Sequence, residues 1–153
     1  MIMDMIRAIS TLIAQNNDLT VYTQNVGEGF ERPSFFISPI NSATNDLSRE
    51  VIDNNIFIQI VYFAPYADEY ENVDTENQYN MNDTLKGIFK KGYFKMGNRA
   101  VKISQLTGGP RDAEIYLTLN LTLTQQKQDD VIPQEVATSV QVDLKGGISN
   151  GIA

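Results

Sequence analysis

The clearest pattern in this chain is a strict alternation of apolar and polar residues between positions 115 and 124. The odd positions hold isoleucine or leucine and the even positions hold threonine, asparagine or tyrosine. A period of two places the two sets on opposite faces of a β-strand. The alternation therefore predicts a strand over Ile115–Thr124, with one face on a core and the other meeting water or a neighbour.

The N-terminus has a different period. Its apolar residues recur at spacings of three and four, which puts them on one face of a helix. They are Ile2, Met5, Ile6, Ile9, Leu12 and Ile13. The run Asn16-Asn17-Asp18 breaks the pattern, so the sequence predicts a short amphipathic helix that ends before it.

Further strands are predicted at Leu19–Thr23, Pro33–Ile40 and Asn55–Phe63, and a hairpin with its turn at Gly97-Asn98 is predicted within Phe94–Leu106. The prolines of the second strand restrict it to an edge, or to ladder positions where no N–H is missed. The third is apolar almost throughout, which suits a central strand covered on both faces. The run Thr107-Gly108-Gly109-Pro110 has the composition of a turn.

A second helix is predicted over Asn72–Lys91. Acidic residues stand near its N-terminus and basic residues near its C-terminus, where each sign interacts favourably with the helix dipole. Gly92 follows at the position of a left-handed cap.

This order of elements predicts an α+β domain over residues 1–125, with a mostly antiparallel sheet of four to five strands and two helices packed on one face. Residues 126–153 are predicted to form an extended C-terminal arm, because the composition shifts to Gln, Asp, Lys and small residues. Within the arm, apolar residues including Val136, Val140 and Val142 alternate with polar ones. Such a strand is either added to its own sheet or donated to a partner.

The composition excludes several kinds of site. The 153 residues include no His and no Cys, so there is no Ser-His-Asp triad, cysteine nucleophile, thiolate or imidazole zinc site, or disulfide. We expect no cofactor and no metal. No apolar run reaches the roughly 18 residues of a membrane span. The acidic start, Met1-Ile2-Met3-Asp4, is unlike a signal peptide, so we expect residence in the cytoplasm.

Two segments are strongly charged. The acidic one contains Asp68, Glu69, Glu71, Asp74 and Glu76 but lacks the ligand spacing of a calcium loop, which favours a solvated loop leading into a helix. The basic one contains Lys86, Lys90, Lys91, Lys95, Arg99 and Lys102 in seventeen positions without an acid. Helix-end preference accounts for half of these residues. As a functional surface, the segment suits an acidic protein better than nucleic acid, because the net charge of the chain is -7.

The segment from Val21 to Ile37 carries a family resemblance. Its pattern Val-x-x-Gly-Phe-x-x-Pro-x-Phe-Phe-Ile comprises Val26, Gly29, Phe30, Pro33, Phe35, Phe36 and Ile37. This pattern resembles the tail terminator proteins of tailed phages and of phage-like elements of Gram-positive bacteria. A strand ending in Tyr62-Phe63-x-Pro65 and the order of the remaining elements agree over residues 1–125.

The resemblance implies a structural protein of the virion tail, assembled in the host cytoplasm, rather than an enzyme. Tail terminators form a hexameric ring on the last ring of tail tube subunits, stop polymerisation and offer a surface to the head connector. The implied partners are therefore further copies of the chain, the tail tube protein and the connector or neck protein. DNA would be only passing cargo, and no membrane is involved. The basic residues and the arm valines named above are the candidate contacts.

Two other classes stay open. Another neck, connector or tube component would share the size, the acidity and the lack of catalytic residues. A carboxylate-only enzyme such as a glycosidase would need two acids converging across a cleft about 5 to 10 Å wide. The acids close to predicted strands are Glu31, Glu50, Asp53 and Glu114, and nothing in their spacing favours that chemistry.

Overall fold

The structure is a computed structural model that describes residues 1–23 and 30–126. Its elements, in chain order, are α1 (Ile2–Ala14), β1 (Thr20–Tyr22), β2 (Ser34–Asp46), β3 (Val51–Phe63), α2 (Thr75–Phe89), β4 (Tyr93–Met96), β5 (Arg99–Arg111) and β6 (Glu114–Gln126). The six strands form one sheet in the order β1-β2-β3-β6-β5-β4. The predicted α+β class is confirmed, although the sheet has more strands than the four to five expected.

The sheet is mixed. β1 runs parallel to β2, whereas β4 with β5 and β5 with β6 are antiparallel. The central strands β3 and β6 are also antiparallel. The amide of Ala64 donates to the carbonyl of Ala113 at one end, and the Thr122 hydroxyl donates to Asn55 Oδ1 at the other. Among these four pairs of neighbouring strands, β1 with β2 is therefore the parallel one.

The core lies on one face of this sheet. Alternate residues of β3 and β6 are buried there, as the period of two predicts for β6. Buried side chains of both helices belong to the same hydrophobic cluster, so the helices cover that face together. From α1 these are Met5, Ile6, Ile9 and Ile13, and from α2 they are Leu85 and Phe89. β3 is central, as predicted, and its second face is half-buried except for Val61, which is buried.

The ends of α2 follow the predicted capping. The Asp74 carboxylate accepts a hydrogen bond from the Asn77 amide at 3.1 Å and caps the first turn. Gly92 has a φ of 85°, and its amide donates to the Phe89 carbonyl at 3.3 Å. A left-handed glycine therefore closes the helix. The helix begins three residues later and ends two residues earlier than the predicted Asn72–Lys91.

The predicted turn at Gly97-Asn98 is confirmed, since β4 ends just before it and β5 begins just after it. The turn predicted at Thr107–Pro110 is wrong, because these residues lie inside β5 and pair with β6. Gly108 has a φ of 110°, and a Cβ there would collide with the backbone carbonyl of Tyr116. Position 108 therefore requires glycine, because the backbones of β5 and β6 approach closely there. The connection between β5 and β6 is Asp112-Ala113.

Among the described residues, 46–52 and 124–126 belong to a different compact unit from 1–23, 30–45 and 53–123. In its described part, the amides of Leu47 and Ser48 donate to the Val51 carbonyl at 3.0 and 3.2 Å. Apart from Gln126, the predicted arm lies outside the described residues and stays a prediction. Neither described helix combines the length and the hydropathy that crossing a membrane requires.

Candidate interaction surfaces

The six basic residues of the predicted contact surface are all exposed, but they lie on different elements. Three follow one another around the end of α2, one lies on β4 and two lie on β5. They are, in that order, Lys86, Lys90, Lys91, Lys95, Arg99 and Lys102.

The register of β4 and β5 decides which of these residues share a face. Phe94 pairs with Val101, and both are buried in the core. Tyr93 pairs with Lys102, so both face away from the core, and Lys95 does so as well because it lies two residues beyond Tyr93. We call Tyr93, Lys95 and Lys102 the basic edge, because β4 is the last strand of the sheet.

The basic residues therefore do not form a single surface. Lys86 lies on α2, which covers the core face of the sheet, whereas the basic edge is on the opposite face. Lys95 and Lys102 are diagonal neighbours across two strands, a spacing of about 7–8 Å. The structure thus brings together two lysines that are seven residues apart in sequence and separates them from Lys86.

The acidic segment is an ordered loop between β3 and α2. The Asp68 carboxylate accepts hydrogen bonds from the backbone amides of Tyr70 and Asn72 at 2.9 and 3.3 Å, and from the Asn72 side-chain amide at 2.8 Å. The side-chain bond from Asn72 is the main cause that holds the pKa of Asp68 below its ordinary value. We call residues 66–74 the acidic loop.

Two tyrosines stand on the acidic loop. Tyr70 is 79% exposed, and Tyr66, which forms a backbone bridge with Val73, is 37% exposed. Within residues 1–23 and 30–126, no three His, Cys, Asp or Glu side chains are grouped closely enough to hold a metal ion. Tyrosine is one of the residue types enriched at protein contact surfaces.

Arg32 ties the base of the acidic loop to the sheet. Its guanidinium donates to the carbonyl of Ala64 at 2.8 Å, the hydroxyl of Tyr66 at 2.8 Å and the carbonyl of Ala113 at 2.9 Å. It also forms an ion pair with Glu114 at 2.9 Å, in which the two side chains are 16% and 21% exposed. One residue therefore joins the segment before β2 to the end of β3 and to the β5–β6 connection.

Aromatic rings surround the same guanidinium. It lies 4.4 Å from the ring centroid of Tyr66, 5.6 Å from that of Phe63 and 5.9 Å from that of Phe30. Such stacking adds a cation–π attraction to the hydrogen bonds. Sequence reasoning used Phe30 and Pro33 as family markers and missed the arginine between them. The available signal was a basic residue close to aromatic residues on both sides, Phe30 and Phe35.

α2 is attached to the same end of the sheet by Gln78. This side chain is 4% exposed, and its amide nitrogen donates to the carbonyls of Asp112 and Glu114 at 3.0 and 2.7 Å. Asp112 has a φ of 53°, a conformation that is uncommon for residues other than glycine. The β5–β6 connection is thus held both by Arg32 and by Gln78 of α2.

A further link joins β3 to α2. The hydroxyl of Tyr62 donates to Asn77 Oδ1 at 2.7 Å. Burial raises the pKa of Tyr62 to about 12, and the nearby negative charge of Asp74 acts in the same direction. The tyrosine therefore keeps its proton, and this hydrogen bond, well into the alkaline range.

The acidic loop and the basic edge lie far apart in the domain. Ala113, just before β6, bonds to Ala64 near the acidic loop, whereas Thr122 of β6 pairs with Lys102 of the basic edge. The nine residue steps between Ala113 and Thr122 span about 30 Å at the rise of a β-strand. The two surfaces consequently cannot touch within one chain.

Comparison with known families agrees with the resemblance found in the sequence. A model of the family described as phage tail terminator protein matches residues 4–133. The chain belongs to the phage tail terminator family. No curated protein matches it. Tail terminators are structural proteins of the phage tail, so this tail terminator is a tail component that contacts other tail or neck proteins.

The residues matched by the family model cover the acidic loop, the basic edge, and Arg32 with its hydrogen-bond partners. The arm candidates Val136, Val140 and Val142 lie outside the described residues. The four acids considered for a carboxylate enzyme occupy separate segments: Glu31 before β2, Glu50 between β2 and β3, Asp53 in β3 and Glu114 in β6. Of these, Glu114 is engaged in the ion pair with Arg32.

Proposed function

We propose that this tail terminator forms a ring of six subunits on the last ring of the tail tube, ends tube polymerisation and offers the joining surface to the head connector. The observation that carries this proposal is the family match over residues 4–133. The distribution of charge supports it, because the domain has exposed segments of opposite charge at opposite ends. A subunit of this kind can bind two different surfaces at the same time.

The net charge also suits the proposed role. At -7, the chain gives little electrostatic attraction to a phosphate backbone, so DNA can pass through the ring as cargo without adhering to it. Binding and capping require no cofactor. We place assembly in the host cytoplasm, with the tail tube protein and the connector or neck protein as partners.

The candidate contacts keep separate roles in this proposal. The six exposed basic residues bind acidic protein surfaces: Lys86, Lys90, Lys91, Lys95, Arg99 and Lys102. The arm, with Val136, Val140 and Val142, adds a strand to a neighbouring subunit or to the tube. Both kinds of contact are non-covalent, as the assembly of a cap requires.

The test combines tail length with native mass. Removing the protein from an infecting phage is expected to produce overlong tails, visible by negative-stain electron microscopy. Purified protein added to polymerising tube protein is expected to shorten the tubes and to bind their ends. Native mass spectrometry of the bound material is expected to give six copies per tube end.

Two results would count against the proposal. Tails of normal length without heads would assign the protein to the connector instead. A strict monomer that ignores tube ends would refute the capping mechanism.

A further inference from the structure

We infer that the acidic loop of one subunit binds the basic edge of a second copy of this chain, and that this contact links successive subunits. The inference rests on the proposed function in one respect, namely that the protein works as an assembly of identical subunits. It adds which two surfaces meet.

The first argument is charge complementarity. The acidic loop contains four acids, Asp68, Glu69, Glu71 and Asp74, and no Lys or Arg, whereas the basic edge contains Lys95 and Lys102 and no acid. Opposed surfaces of this kind accelerate association and penalise like-with-like contacts.

The second argument is the character of the two surfaces. Each carries an exposed tyrosine, Tyr70 at 79% and Tyr93 at 49% exposure. Tyrosine is among the residue types enriched at protein interfaces. Both surfaces are also held in place before binding, the loop by Asp68 and Arg32 and the edge by its β4–β5 ladder. Preorganised surfaces lose less conformational entropy when they associate.

The third argument is geometric. The surfaces are about 30 Å apart along β6, so they cannot pair within one chain. They are also different surfaces, so a contact between them is head-to-tail rather than symmetric. Head-to-tail contacts generate a closed ring when the rotation closes and an open filament when it does not. The contact thus fits the cyclic assembly proposed above.

Site-specific cross-linking tests the contact directly, because the chain has no native cysteine. Single variants Tyr70→Cys and Lys95→Cys are treated with a short bis-maleimide, separately and as an equimolar mixture. We expect dimers from the mixture but not from either variant alone, and a ladder of multimers from the double variant. Thr11→Cys, on the exposed side of α1, replaces Lys95→Cys in the control mixture. Equal yields in the two mixtures would overturn the inference.

Charge exchange gives a second test. Lys95→Glu with Lys102→Glu in one chain, or Glu69→Lys with Glu71→Lys in another, is expected to weaken self-association at least tenfold by analytical ultracentrifugation. Mixing the two variants is expected to restore association, because the glutamates of the altered edge then face the new lysines of the altered loop, while the unaltered edge faces the unaltered loop. Failure of the mixture to recover would contradict the contact.

The outcomes separate this inference from the proposed function. Capped tubes without the Tyr70–Lys95 cross-link would refute the contact and leave the capping role intact. The cross-link without any effect on tubes would support the contact and refute capping. Absence of any assembly, on or off tubes, would refute both.

Discussion

Replacing Arg32 with alanine is expected to destabilise the protein by about 3 kcal/mol. The substitution leaves the half-buried Glu114 without its cation and removes a hydrogen bond from the Ala64 carbonyl. Breaking a fully buried ion pair costs about 3–5 kcal/mol, and partial exposure of both partners lowers that figure. An unsatisfied carbonyl adds about 1–3 kcal/mol, and the lost aromatic stacking adds about 0.5–1 kcal/mol. Solvation of the exposed parts and relaxation of the neighbours offset part of this sum.

Urea denaturation of the full chain measures the effect. Tyrosine fluorescence and far-ultraviolet circular dichroism are suitable probes, because the chain has seven tyrosines and no tryptophan. A loss of about 3 kcal/mol corresponds to a fall in Tm of about 6–12 °C for a chain of this size. Arg32→Lys keeps the charge but not the planar fork, so it is expected to recover only part of the loss.

Arg111→Ala is the matched control for this prediction. Arg111 is exposed and lies 5.6 Å from the ring centroid of Tyr116, so its removal is expected to change stability by no more than about 0.5 kcal/mol. If Arg32→Ala and Arg111→Ala give the same free energy of unfolding, the assignment of Arg32 as the link between three segments is refuted. Full recovery by Arg32→Lys would show that charge alone is needed.

Two further predictions concern the sheet. Gly108→Ala is expected to destabilise the protein by at least about 2 kcal/mol, because a φ of 110° is strained for alanine and the added Cβ meets the Tyr116 carbonyl. Gly109→Ala is the control. Its Cβ meets nothing within 4 Å, so it is expected to change stability by at most about 0.5 kcal/mol. Equal effects in thermal unfolding would contradict the close approach at Gly108. Tyr62 has a pKa of about 12 in the folded protein against an ordinary value of 10.0. The stabilisation that follows from this difference, up to about 2–3 kcal/mol, is complete below pH 10 and is lost as the pH rises towards 12. Tyr62→Phe is expected to flatten the pH dependence of unfolding over that interval, and parallel curves for the two proteins would refute this.

The elements that could be predicted are those with local signals. α1 follows from its period of three and four, β6 from its period of two, and the turn at Gly97-Asn98 from its residue types. Thr107–Pro110 has equally strong turn composition but lies in β5, because the ladder with β6 overrides local preference. Composition near a glycine pair does not reveal whether it serves a turn or a close approach of two strands.

The surfaces were less accessible to sequence reasoning. Spacing alone grouped the six basic residues, but the register of β4 against β5 decides that Lys95 and Lys102 share a face and that Lys86 does not. The contacts of Arg32 join residues 32 to 82 positions away, so no local pattern encodes them. Both features depend on contacts between segments that are distant in sequence, and such contacts leave no local pattern in a single sequence.

Prolines near the edges of the sheet disfavour the growth of fibres by strand addition. Within the described residues, β1 pairs with β2 only as far as Phe36, and β4 pairs with β5 only as far as Lys102. The parts of β2 and β5 that extend beyond these pairings each contain an exposed proline, Pro39 in β2 and Pro110 in β5. A proline offers no N–H to an incoming strand, and such residues discourage edge-to-edge pairing. A protein proposed to end polymerisation of the tail tube thus has prolines in its own strands that discourage its polymerisation into β-sheet fibres.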